Sequence, residues 1–189
     1  TYTEEELRRR TAAALGVRPV DIRTLTLYRR SVDARKKERI HCLATVAVTV
    51  AAEDAVLGRC RSPQVSRAEA TPYVIPALSQ PPAMRPVVVG CGPAGLFAAL
   101  TLARAGACPL LLERGGDGDS RQAAVETFRR TGVLDTQNNV QFGEGGAGAF
   151  SDGKLNSGIK DPRSRLVLES FAAAGAPQAI LWQAKPHIG

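Results

Sequence analysis

The residues that most restrict the fold are Pro86-Val87-Val88-Val89, followed directly by Gly90-Cys91-Gly92-Pro93-Ala94-Gly95. A short apolar run of this kind is what a parallel strand buried on both faces requires. G-x-G-x-x-G placed straight after it predicts a tight turn opening a helix. The three glycines differ in what they allow. Gly90 permits the turn, Gly92 lets the backbone approach a pyrophosphate, and Gly95 allows the helix to pack closely on the strand. Leu96 to Ala105 continues as an alanine-rich helix ending at Gly106, and Cys108 to Leu112 supplies a second strand with Glu113 at its carboxyl end. Glu113 stands 18 positions after Gly95, near the spacing at which an acid binds ribose hydroxyls. The helix start offers unpaired N–H groups and the positive end of its dipole to phosphates. Pro93 loses nothing in that first turn, and Cys91 and Ala94 are small residues whose backbone is what matters. The expected unit is a Rossmann-like βαβ fold that binds an ADP moiety. FAD and NAD both carry a free adenosine 2′-hydroxyl, so the fingerprint admits either, whereas the acid disfavours the 2′-phosphate of NADP.

Glycine, proline and charge divide the rest of the chain. Six of its 12 prolines lie between Ser62 and Pro86, where each removes a backbone donor, so residues 62–85 are read as a linker. Residues 1–85 carry 15 Lys and Arg against 9 Asp and Glu, while residues 86–189 carry 10 against 9, which makes the first part the basic one. Within residues 1–61, Thr3, Glu6 and Gly16 predict a capping box and a C-terminal glycine around a helix bearing Leu7, Ala14 and Leu15. Asp21 to Tyr28 reads as a strand, and Ile40 to Val50 as another with Ile40, Cys42, Ala44, Val46, Val48 and Val50 on one face. Arg29 to Lys37 between them is expected to be a solvated turn. A nucleic-acid-binding role for this basic α+β part is the competing reading, but residues 1–85 have only Tyr2, Tyr28 and Tyr73 as aromatics and no interleaved stacking platform.

Several chemistries are excluded. Cys42, Cys60, Cys91 and Cys108 are 18, 31 and 17 positions apart, which suits neither paired metal ligands nor a dithiol centre; with only His41 and His187 as imidazoles, no metal site is expected. No apolar stretch approaches the roughly 20 residues that cross a bilayer, and no secretory segment opens the chain, so a cytoplasmic location is expected.

A second glycine tract follows a predicted helix from Ser120 to Arg130, which faces Val125 and Phe128 inward and closes at Gly132. From Asn138 it places Gly143, Gly145, Gly146, Gly148 and Gly153 within eleven positions, with Phe142, Phe150 and Leu155 interspersed. A flexible linker would not favour those apolar residues, so the tract is read as a cofactor loop whose N–H groups face an anion or a flavin edge. Lys154 beside it is a candidate for stabilising negative charge on a reduced flavin, or a surface charge.

The runs Arg29 to Lys37, Val87 to Gly95, Leu111 to Gly115, Asn139 to Leu155 and Lys185-Pro186-His187-Ile188-Gly189 closely resemble bacterial proteins described as uncharacterised FAD-dependent dehydrogenases or NAD(P)/FAD-dependent oxidoreductases. The resemblance spans nearly the whole chain, and Asn-Val-Gln-Phe-Gly-Glu-Gly-Gly with Ser-Asp-Gly-Lys-Leu is far more specific than the glycine triplet. Their first dinucleotide unit is similar to the FAD-binding part of glutathione-reductase-type flavoproteins. The resemblance therefore implies FAD at Gly90, Cys91, Gly92, Pro93, Ala94, Gly95, Glu113 and Arg114, with Gly145, Gly146 and Ser151 nearby, and NAD(P)H as a candidate electron donor. It implies an FAD-dependent oxidoreductase acting on a small-molecule substrate or electron acceptor, with an NAD-binding domain lacking flavin as the alternative within dinucleotide binding. Members of that family are longer, so residues 86–189 are expected to be an incomplete FAD-binding domain and the chain an amino-terminal fragment, inactive alone. No catalytic residue is implied.

Overall fold

The computed structural model describes residues 2–69 and 72–188. Thr1, Ala70, Thr71 and Gly189 lie outside the described residues, and with them two positions of the expected linker and the last residue of the run Lys185 to Gly189. The fold is mixed α/β with two small two-stranded sheets, and it separates into two compact units. One comprises the described residues up to Tyr73 together with Lys154–Ile188, the other Val74–Gly153.

The first unit opens with helix α1 (Glu4–Leu15), whose start is capped by the Thr3 hydroxyl accepting from the Glu6 N–H at 3.1 Å, while Gly16 ends it at φ +68°. The Glu6 carboxylate pairs with Arg10 at 2.5 Å. Strands β1 (Ile22–Asp33) and β2 (His41–Val50) form an antiparallel hairpin. The expected first strand was too short: β1 runs on through Arg29 to Asp33, so only the residues after Asp33 turn, and the basic run is half strand. The cause lies in the register. Pairing slips between Leu27 and Arg29, and this bulge exchanges the two faces. Leu25 and Leu27 face the covered side opposite Val48 and Val46; beyond the slip that side passes to Arg30, opposite Ala44. Arg30 can lie there because its guanidinium stacks on the rings of Tyr2 and Trp182, 5.7 and 5.8 Å from their centroids.

A short helix α2 (Glu53–Arg59) lowers Val56 into a core shared with Ala12, Ile22 and Val50. Residues 154–188 belong to this unit, which corrects their assignment to the second domain. The reason is a backbone join at β1: the Arg30 N–H donates to the Trp182 carbonyl at 2.6 Å and the Ala184 N–H to the Arg30 carbonyl at 2.9 Å. That segment contains helix α5 (Pro162–Ala173), capped by Asp161 and followed by Gly175 at φ +104°. Arg163 holds the Asp161 carboxyl down at about 2.

In the second unit, strand β3 (Val87–Val89), helix α3 (Pro93–Arg104) and strand β4 (Leu110–Leu112) make a parallel β–α–β arrangement, and helix α4 (Gly118–Thr131) follows. Burial of the strand on both faces is not observed: Val87 is 55% and Val89 82% exposed, because β3 has a single strand neighbour and α3 covers only the Val88 side. Helix α4 is capped by Asp117, whose carboxylate accepts from the Ser120 N–H at 2.9 Å, and not by Ser120. Val125 is buried as expected, but Phe128 is 40% exposed; the buried position one turn before Val125 belongs to Arg121.

No described helix is long and apolar enough to cross a membrane.

Candidate functional site

The bend between β3 and α3 is built from what its glycines lack. Gly90 sits at φ +96°, a conformation that side chains rarely tolerate. A Cβ on Gly95 would collide with the Gly90 carbonyl oxygen, so the helix can lie this close to the strand only at a glycine. Gly92 differs from both: its φ is an ordinary −74°, and a Cβ there would meet nothing within 4 Å. The space in front of it is open. Gly92 is also the N-cap of α3, with Pro93 in the first turn, so the Ala94 and Gly95 N–H groups stand where a helix has no internal acceptors.

Glu113, immediately after β4, turns its carboxylate toward this bend. One oxygen accepts from the Cys91 N–H at 2.5 Å and the other from the Gly115 N–H at 2.8 Å. The Gly115 bond first, and the Cys91 bond second, hold the carboxyl below its ordinary range, so it is ionised at neutral pH. Each oxygen keeps acceptor capacity after these bonds. The Cys91 side chain is buried and its N–H is taken by Glu113.

The glycine tract packs on the same bend. The Gly145 N–H donates to the Cys91 carbonyl at 2.8 Å, and a Cβ on Gly146 would come within 3.3 Å of the Gly92 Cα. Bend, Glu113 and tract enclose a cavity of about 450 Å³ lined by Gly90, Gly92, Glu113, Arg114, Phe142 and Gly146 among others, within the range of small-molecule sites. Arg114 forms part of its wall, its guanidinium 4.3 Å from the centroid of the Phe142 ring. Of the sequence-derived residues, Gly90, Gly92, Glu113, Arg114 and Gly146 reach the cavity. Cys91, Pro93, Ala94, Gly95 and Gly145 build its frame. Ser151 is not brought to it: the residue is exposed and its hydroxyl accepts from the Gly153 N–H at 3.1 Å. Lys154 belongs to the first unit, where it forms an isolated bridge with His187. No cluster of three or more candidate metal ligands occurs among the described residues.

Comparison with known proteins leaves this site without an assigned role. Residues 1–49 match a family model described as a domain of unknown function, DUF8436. An uncharacterized protein of Clostridium beijerinckii is similar to the chain, 45% identical over 184 residues that cover 97% of the chain and 34% of the relative. The chain thus spans about a third of the length of that relative. The DUF8436 match stays within the first unit, whereas the similarity to the clostridial protein covers both.

One residue escaped the sequence reading. Arg121 is 0% exposed and reaches across to the tract, donating to the carbonyls of Asn139, Val140, Glu144 and Gly146, with its guanidinium 4.9 Å from the centroid of the Phe150 ring. The one signal in the sequence was a charged side chain four positions before Val125, on the apolar stripe of α4.

Proposed function

We propose that this chain carries the adenosine-diphosphate site of an FAD-dependent oxidoreductase, with β3, α3 and β4 as its Rossmann-like unit. The observation that carries the reading is the open approach to Gly92 at the head of α3, beside an ionised Glu113 on the rim of the same cavity. The residues fit the group. The Ala94 and Gly95 N–H groups and the helix dipole suit a diphosphate, the missing Cβ of Gly92 leaves room for it, and Glu113 suits the ribose hydroxyls. The same carboxylate argues against a 2′-phosphate. FAD is preferred over NAD because of the resemblance carried by the tract from Asn139 to Leu155. When bound, FAD supplies hydride or electron transfer, and the protein supplies binding and orientation. A small-molecule substrate or electron acceptor, with NAD(P)H as donor, completes the proposal.

The test uses the complete polypeptide that carries these residues, purified and denatured, with the released small molecules weighed by mass spectrometry. FAD is the expected mass, together with a flavin absorption spectrum before denaturation. NAD in its place would keep the site and replace the cofactor. A colourless protein that releases no dinucleotide and takes up neither cofactor would reject the assignment.

A further inference from the structure

We infer that Arg121 is a positioning residue for the dinucleotide site, holding Glu113 and the bend in register through a single peptide unit of the glycine tract. The inference rests on the binding role proposed above. A guanidinium removed from water must satisfy its five donors locally, and the acceptors Arg121 finds are backbone carbonyls of the tract. Gly143 makes this possible: at φ +108°, any Cβ there would strike the Arg121 side chain.

The consequence comes from peptide geometry. A carbonyl and the N–H of the next residue belong to one plane and point in opposite directions. Arg121 holds the Glu144 carbonyl, and the other end of that same peptide, the Gly145 N–H, donates to the Cys91 carbonyl. Cys91 in turn donates its own N–H to Glu113. A continuous line of bonds therefore runs from the buried cation through peptide 144–145 and through Cys91 to the carboxylate on the cavity rim. Arg121 is not among the residues that line the cavity, so it acts on a ligand through the groups it holds: this line to Glu113 and, beside it, the carbonyl of the lining residue Gly146.

ADP, titrated calorimetrically into the complete polypeptide well below its melting temperature, separates this role from mere support of the fold. Arg121→Gln is expected to weaken ADP binding about tenfold and Arg121→Lys less, in line with the coupling usual within one hydrogen-bonded network. In a Glu113→Gln background the Arg121→Gln effect should shrink to less than about twofold, because the carboxylate it positions has been replaced by a neutral amide. Equal losses in both backgrounds would overturn the inference. If Arg121→Gln does not fold, Phe150→Leu, which removes only the ring against the guanidinium, should give a smaller loss with the same dependence on Glu113; a loss independent of Glu113, or none, overturns it. A wild-type protein that binds neither ADP nor FAD removes the proposed function and this inference together. Wild-type binding that the Arg121 variants leave unchanged removes this inference alone.

Discussion

The two units reach their structures by opposite means. In the hairpin unit, side chains do the specifying: alternate residues of β2 meet Leu25, Leu27 and the core of Ala12, Ile22, Val50 and Val56. In the β3–α3–β4 unit the decisive positions are those with no side chain, and the backbone they free is tied by Glu113 and Arg121. A core built on side chains tolerates loss in proportion to the volume removed. A bend built on their absence tolerates no addition at Gly95, where a Cβ meets the Gly90 carbonyl, and strains at Gly90, with its φ of +96°. The second arrangement is the one suited to a ligand, since it leaves open space in front of Gly92 beside the unpaired N–H groups of the helix start.

Substitutions can break this contrast. Gly95→Ala should have the largest effect, roughly 3 kcal/mol or more of stability with ADP binding abolished, because the new methyl meets a carbonyl that cannot withdraw; a melting curve like that of wild type would refute the close helix approach. Gly92→Val should come next, lowering ADP affinity about a hundredfold, or some 2.7 kcal/mol, while the melting temperature stays nearly constant, since the valine faces open space. Unchanged affinity would mean that the diphosphate lies elsewhere. Ile22→Ala, its mirror image in the hairpin unit, should cost about 2 kcal/mol in denaturant titrations and leave ADP affinity alone when measured below the transition.

The smallest effect concerns pH. The folded Glu113 carboxyl titrates below its unfolded value of about 4.3, so its stabilisation is complete above that pH and fades as the solution is acidified toward the folded value. Unfolding free energies measured between pH 6 and about pH 3 should therefore fall less steeply in Glu113→Gln than in wild type. Identical slopes would show that the bonds from Gly115 and Cys91 contribute nothing differential.

Much of the hairpin unit could be read from alternation, because period-two burial is a local property: Cys42, Ala44, Val46, Val48 and Val50 share the covered side as expected, whereas Ile40, expected with them, precedes β2 and is exposed. The end of β1 could not, since a bulge between Leu27 and Arg29 depends on the partner strand. Likewise the glycine fingerprint marked the bend, the strand and helix around it and the acid beside it, each a requirement of chain geometry within a few residues. Whether Val89 is covered, whether Ser151 joins the cavity wall and whether residues 154–188 return to β1 all depend on segments remote in sequence.

The order of strand, bend, helix, strand and acid was determined by the amino acids alone, because torsional freedom and helix capping act between near neighbours. That the glycine tract closes over the bend, and that a buried Arg121 draws its carbonyls inward, was decided only by tertiary structure: a charge on an apolar stripe finds its acceptors 18 to 25 residues away, and no local rule says where those acceptors will lie.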